Sequence, residues 1–133
     1  YDAAWEIFKD YPINGVGSKN FRIKCAEKKY LNENLIFSPK RCTTHPHQLH
    51  FELLSEQGII GYIIFFYLAL RFIFSNLKKT IKSKNIFHIS LNFYLLVFLI
   101  PLLPGGGVFS SFNGSLFWII FALANLDKKK LGN

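Results

Sequence analysis

Methionine is missing from all 133 residues, and cysteine occurs only twice. With no initiator methionine, and with a first stretch, YDAAWEIFKD, that reads as the interior of a helix, the chain is expected to be the C-terminal piece of a larger protein. Any targeting segment then lies outside it and cannot be judged. Acidic residues are nearly missing from the second half. Residues 1–57 carry eight basic and seven acidic side chains, whereas residues 58–133 carry eight basic and one acidic. The net charge of +8 is therefore not spread as a nucleic-acid footprint. Lys78, Lys79, Lys82 and Lys84 share one short gap, and Lys128, Lys129 and Lys130 stand near the end, as punctuation between apolar runs rather than a groove-lining patch. Two familiar motifs are also wanting. Gly15-Val16-Gly17 is not a dinucleotide fingerprint, since the third glycine position holds Asn20 and no strand precedes it, and there is no H-E-x-x-H metal helix.

Apolar sequence is what the chain has in plenty: half of it is hydrophobic, with fifteen Phe. Three runs stand out, at 58–74, 86–103 and 108–126. A bilayer core takes roughly 20 apolar residues per helix, with a lower limit near 17. The runs lack the polar face at helical period that a soluble core helix shows. The expected fold is all-α: a polytopic membrane-protein fragment with transmembrane helices near 58–76, 86–103 and 108–126, preceded by an outer helical loop segment, 1–57. The lysine-bearing gap around residues 75–85 and the lysine tail are cytoplasmic by the positive-inside rule. The uncharged gap PLLPGGGVFSSFNGS and residues 1–57 are then outside. Arg71 lies about 9 Å, or six residues, from the lysine-side end, within snorkelling reach.

The outer segment divides into a short helix over 2–9, a turn-rich loop DYPINGVGSKNF marked by Pro12, Asn14, Gly15 and Gly17, and a second helix over 46–57 with Thr44 as N-cap and Pro46 in its first turn. Cys25 and Cys42 flank the irregular connection between them. In an oxidising outer compartment such a pair points to a disulfide.

Chemistry concentrates in RCTTHPHQLHFELLSEQG, which holds His45, His47 and His50 and then Glu52 and Glu56 directly ahead of the first apolar run. A helix starting near Pro46 puts His47 and His50 on one side and Glu52 and Glu56 on another. Three readings compete with a plain solvated helix face. The histidines suit a metal, although i, i+2 positions diverge on a helix. One neutral imidazole suits a general base. The helix N-terminus with Arg22 or Arg41 suits a phosphate. The place of the cluster, at the outer mouth of an apolar bundle, favours a lipid-linked substrate, which needs a slot for its tail, cations for its phosphates and a base for an attacking hydroxyl.

THPHQLHFELLSEQGIIGY resembles the signature of the O-antigen ligase and polymerase family, a His-Pro-His-Asn type start followed by Glu-x-Gly-hydrophobic-hydrophobic-Gly. YPINGVGSKNFR resembles its Pro-x-x-Gly-Val-Gly-x-x-Asn-Phe segment, and LPGGGVFSSFNGSLFWIIFALAN its penultimate outer loop and last helix. The resemblance implies a multi-pass bacterial inner-membrane glycosyltransferase that moves a glycan from undecaprenyl diphosphate to an acceptor hydroxyl on a lipid or a second glycan. It implies no nucleotide sugar, no metal and no other cofactor. It assigns His47 as the catalytic histidine, Arg22 and Arg41 to the diphosphate, and a supporting role to Gln48, which stands where the family usually has Asn, and to His45, His50, Glu52 and Glu56. The fragment alone is expected to be inactive. The alternative from a different class is a non-catalytic permease or accessory subunit of polysaccharide export, for which replacing His47 changes little.

Overall fold

The computed structural model describes residues 1–30, 42–82, 84–101, 107–109 and 111–126. Its order is α1 (Asp2–Asp10), α2 (Phe21–Lys24), a 3₁₀ turn (Lys28–Tyr30), α3 (Leu49–Lys82), α4 (Ile86–Phe98) and α5 (Ser111–Asn125), with no strand among the described residues. α3 packs against α1 and α4, and α4 against α5. The start of α3 meets the end of α4, where the Gln48 amide donates to the Pro101 carbonyl. The far end of α3 meets the end of α5, where Asn76 donates to Asn125. α4 thus runs back along α3, and α5 runs parallel to α3.

Two apolar clusters result. One joins Ala3, Ala4 and Ile7 of α1 to Phe21, Cys25 and Tyr30, with Val16, Cys42 and Phe51 at its edge. The other joins Leu49, Leu53, Ala69 and Ile73 of α3 to Leu95, Leu99, Val108, Phe117 and Ala124. Around the second cluster the helices are apolar on their outside as well: Ile63, Tyr67, Phe87, Phe93, Phe112 and Ile119 are all exposed.

α3 spans 34 residues and is the one described helix long and apolar enough to cross a membrane. It is broken at Gly58 (φ 64°, ψ −171°), so the apolar stretch begins at the break and Glu52 and Glu56 lie ahead of it. α4 has 13 residues and α5 has 15. At 1.5 Å per residue these are about 20 and 22 Å long, short of a hydrocarbon core of about 30 Å. α4 stops well before residue 103 because Pro101 bars helical geometry at Ile100.

The second outer helix also begins later than residue 46. Thr44 does not cap it; its hydroxyl lies 3.0 Å from His45 Nδ1. Gln48 does, its Oε1 accepting from the Phe51 N–H at 2.9 Å. Pro46 and His47 therefore sit in a bend, and His47 has left-handed backbone (φ 54°). The expected helical face carrying both His47 and His50 does not exist.

Candidate active site

The site is built on the break at Gly58. Ending one helical stretch and starting another leaves carbonyls without partners on one side and N–H groups on the other. The loop over residues 12–21 supplies both. Val16 N–H donates to the Ser55 carbonyl at 3.0 Å and Gly17 N–H to the Glu56 carbonyl at 2.8 Å, while Ile59 N–H donates to the Pro12 carbonyl at 2.8 Å. The approach is close enough to require glycine on both sides. A Cβ on Gly58 would lie 2.2 Å from the Ile13 carbonyl oxygen, and one on Gly15 would lie 2.4 Å from the Glu56 carbonyl carbon. The Glu56 carboxylate completes the joint, accepting from Lys19 N–H at 2.8 Å and Phe21 N–H at 3.2 Å. Burial pushes the Glu56 carboxyl up, and those two amides pull against it. Its role is to hold the loop that leads into α2, and so to place Arg22.

A second tie comes from the other direction. Cys25 and Cys42 are joined by a disulfide, with Cα atoms 5.2 Å apart. It fixes the end of α2 beside the segment that carries Thr44, His45 and His47. The result is a cavity of about 220 Å³ lined by Lys19, Arg22, Thr44, His45, Glu52, Glu56 and Phe109.

Glu52 is the anomalous group. It is only 4 % exposed, and among the described residues its Oε2 has no hydrogen-bond partner. Gly107, from the glycine-rich stretch before α5, presses against it; a Cβ there would lie 1.9 Å from Glu52 Oε1. Burial, and then the neighbouring Glu56, push the Glu52 carboxyl up to about 7. Burial, and then the neighbouring His47, hold the His45 imidazole below its ordinary range.

The three histidines part company. His45 lines the cavity. His47 is exposed just outside, its ring centroid 4.3 Å from that of His45. His50 is turned into the bundle, with Nε2 3.0 Å from the Leu99 carbonyl, Nδ1 2.8 Å from the Tyr62 hydroxyl, and its ring stacked on Phe66. A carbonyl only accepts, so Nε2 carries the proton and Nδ1 takes the tyrosine O–H. Both nitrogens are engaged, and His50 joins helices rather than facing the cavity. No three of the described His, Cys, Asp and Glu side chains form a group that could hold a metal.

Of the residues singled out by sequence, Arg22, His45, Glu52 and Glu56 meet at the cavity, His47 adjoins it, and Gln48 and His50 stand behind it. Arg41 lies outside the described residues. Sequence reasoning passed over Lys19, Gly107 and Phe109. Lys19 sits inside the quoted loop segment, three residues before Arg22. Gly107 and Phe109 are distant in sequence, and nothing local links them to Glu52.

Residues 1–66 match the model of a family described as O-antigen ligase. No curated protein and no solved structure matches the chain. All the cavity-lining residues except Phe109 fall inside the matched stretch.

Proposed function

We propose, from the premise that this chain belongs to the O-antigen ligase family, that it is part of a multi-pass inner-membrane glycosyltransferase. Its donor is a glycan on undecaprenyl diphosphate, and its acceptor is a hydroxyl of a lipid or of a second glycan. The observation that carries the reading is the cavity itself. Two cations, Lys19 and Arg22, and an imidazole, His45, with a second, His47, beside it, are held together where the apolar part of α3 begins. A diphosphate with a lipid tail asks for cations next to an apolar surface. Sugar transfer to a hydroxyl asks for a base next to both.

Arg22 forks onto the diphosphate, with Arg41 as its second guanidinium, and Lys19 adds a point charge. His47 takes the proton from the acceptor hydroxyl as the C1–O bond to the phosphate breaks and the diphosphate leaves with the electron pair. Its exposure suits it to meet an acceptor arriving from outside, and the proton then passes to solvent. The reaction needs no metal and no other cofactor. The alternation of lysine-rich and uncharged gaps supports three spans near 58–76, 86–103 and 108–126, with residues 1–57 periplasmic and the tail cytoplasmic.

The test is His47→Ala in the full-length protein. General-base help is worth about 10²–10⁴-fold in rate, so glycan transfer falls by that factor at unchanged protein level. Arg22→Ala raises the KM for the donor, and Arg22→Lys recovers only part of it. Full transfer by His47→Ala leaves the accessory-subunit alternative standing.

A further inference from the structure

Glu52 is a poor fit to a site for anions. A buried carboxylate directed at the place where phosphates bind would repel them, and Glu56 already adds one negative charge nearby. Yet Glu52 is not tied up structurally. Its backbone serves the helix, but Oε2 meets no donor among the described residues, although two cations line the same cavity. A buried acceptor left without a donor is costly unless the group is the donor. A protonated carboxyl has an O–H to give and needs a partner that is absent until a ligand enters.

We propose that Glu52 binds the donor substrate as a neutral carboxylic acid, giving its O–H to a non-bridging oxygen of the diphosphate between Lys19 and Arg22. This rests on the diphosphate reading above and adds to it a binding residue of the opposite kind to the cations. Every element around the group is consistent with that state. Lys19 and Arg22 share its cavity from the loop and α2, Thr44 and His45 from the segment before α3, and Phe109 from the stretch before α5, while Glu56 on its own helix and Gly107 lie closest to it. The cations are exposed and can follow the phosphates, while Glu52 is fixed by Gly107 at its back. The same burial and the same Glu56 that make ionisation costly keep the acid protonated up to about pH 7. The cavity, at about 220 Å³, is smaller than the roughly 300–1,000 Å³ of a site for a drug-sized molecule. It therefore suits a compact group such as a diphosphate rather than a sugar chain.

The consequence is that donor binding switches off as pH rises. The experiment measures binding of a short-chain polyprenyl-diphosphate-linked glycan to the purified full-length protein between pH 6 and 9. Both phosphates of that probe are esterified and do not titrate in this range. One proton lost from the binding-competent form raises Kd by about tenfold for each pH unit above the Glu52 pKa. In wild type the upper limb has that slope. In Glu52→Gln, whose amide donates without ionising, the limb is flat. Glu52→Ala gives the same flat limb at weaker affinity and serves if the glutamine variant fails to accumulate. A flat wild-type limb, or an undiminished slope in either variant, overturns the role of Glu52 while leaving the diphosphate site in place. Binding that is absent at every pH, or untouched by Arg22→Ala, overturns the diphosphate reading and Glu52 with it.

Discussion

The residues ahead of Gly58 and the bundle behind it are held by different means. Ahead of the break the apolar cluster is small, built from two alanines, an isoleucine and a few aromatics, and polar ties do much of the work: the Glu56 carboxylate on two amides, four main-chain bonds between the 12–21 loop and α3, and one disulfide. Behind it the ties are largely aromatic, with Phe65 on Phe66 and Phe117, and Phe117 in turn on Phe98 and Phe121. The difference follows from the surroundings each part is suited to. Directional bonds can hold a short irregular segment in one shape, which is what bringing Arg22 and His45 to one cavity demands. Non-directional packing suffices for helices, whose backbone is already satisfied internally.

Breaking the joint should have the largest effect. Gly58 lies in a backbone region open in practice only to glycine, and a side chain there also meets the Ile13 carbonyl. Gly58→Ala is expected to cost about 3 kcal/mol or more, to reduce accumulation of the protein and to abolish transfer. A variant with wild-type thermal stability would show that the loop and helix are not interlocked.

The disulfide comes next. In the chain-entropy model a bridge across 17 residues stabilises by about 3 kcal/mol. Thiol labelling of unreduced, denatured protein should find neither Cys25 nor Cys42 free. Reduction should loosen the segment ahead of α3, read as faster proteolysis there, before the bundle melts.

Glu52 sharpens the comparison through pH. Its carboxyl binds its proton more tightly in the folded chain than in the unfolded one, from the ordinary 4.5 up to about 7. The folded state therefore holds more protons in that window, and the Glu52 contribution to stability falls as pH rises through it. Glu52→Gln should match wild type near pH 4 and exceed it above pH 7, by at most about 3 kcal/mol. A thermal-shift series across that range checks the sign; a gain that shrinks with rising pH would contradict it.

His50 gives the smallest effect. Replacing it by Phe keeps the stack on Phe66 but removes the donor to Leu99 and the acceptor for Tyr62, at a cost of about 1–3 kcal/mol. Transfer by this variant should stay within about tenfold of wild type, well above His47→Ala. Equal losses at the two positions would place His50 in the chemistry after all.

Much of this was open to reading along the chain. The apolar runs, the lysine gaps, the turn-rich loop and the pairing of two lone cysteines are local properties of composition and spacing, and so is the clustering of His45, His47, Glu52 and Glu56 ahead of the first run. The helix start was misjudged because Thr44 and Pro46 are good local signals, yet Gln48 caps instead. Its amide spans from the Phe51 N–H to the Pro101 carbonyl, and that second partner lies 53 positions away. Periodicity put His47 and His50 together for the same reason, whereas the bend before α3 turns one outward and leaves the other between helices.

By itself the sequence determined an all-helical chain, its apolar stretch and the residue types gathered before it, because hydrophobic period, turn residues and charge act over a few neighbours. Only the tertiary structure decided which of those side chains share a cavity. Arg22 and His45 share that cavity because a disulfide and the Gly58 joint bring separate segments together. Glu52 becomes an acid of unusual strength of hold on its proton because Gly107, 55 positions on, shuts it from water. Burial is a property of what packs around a group, and no stretch of neighbouring residues encodes it alone.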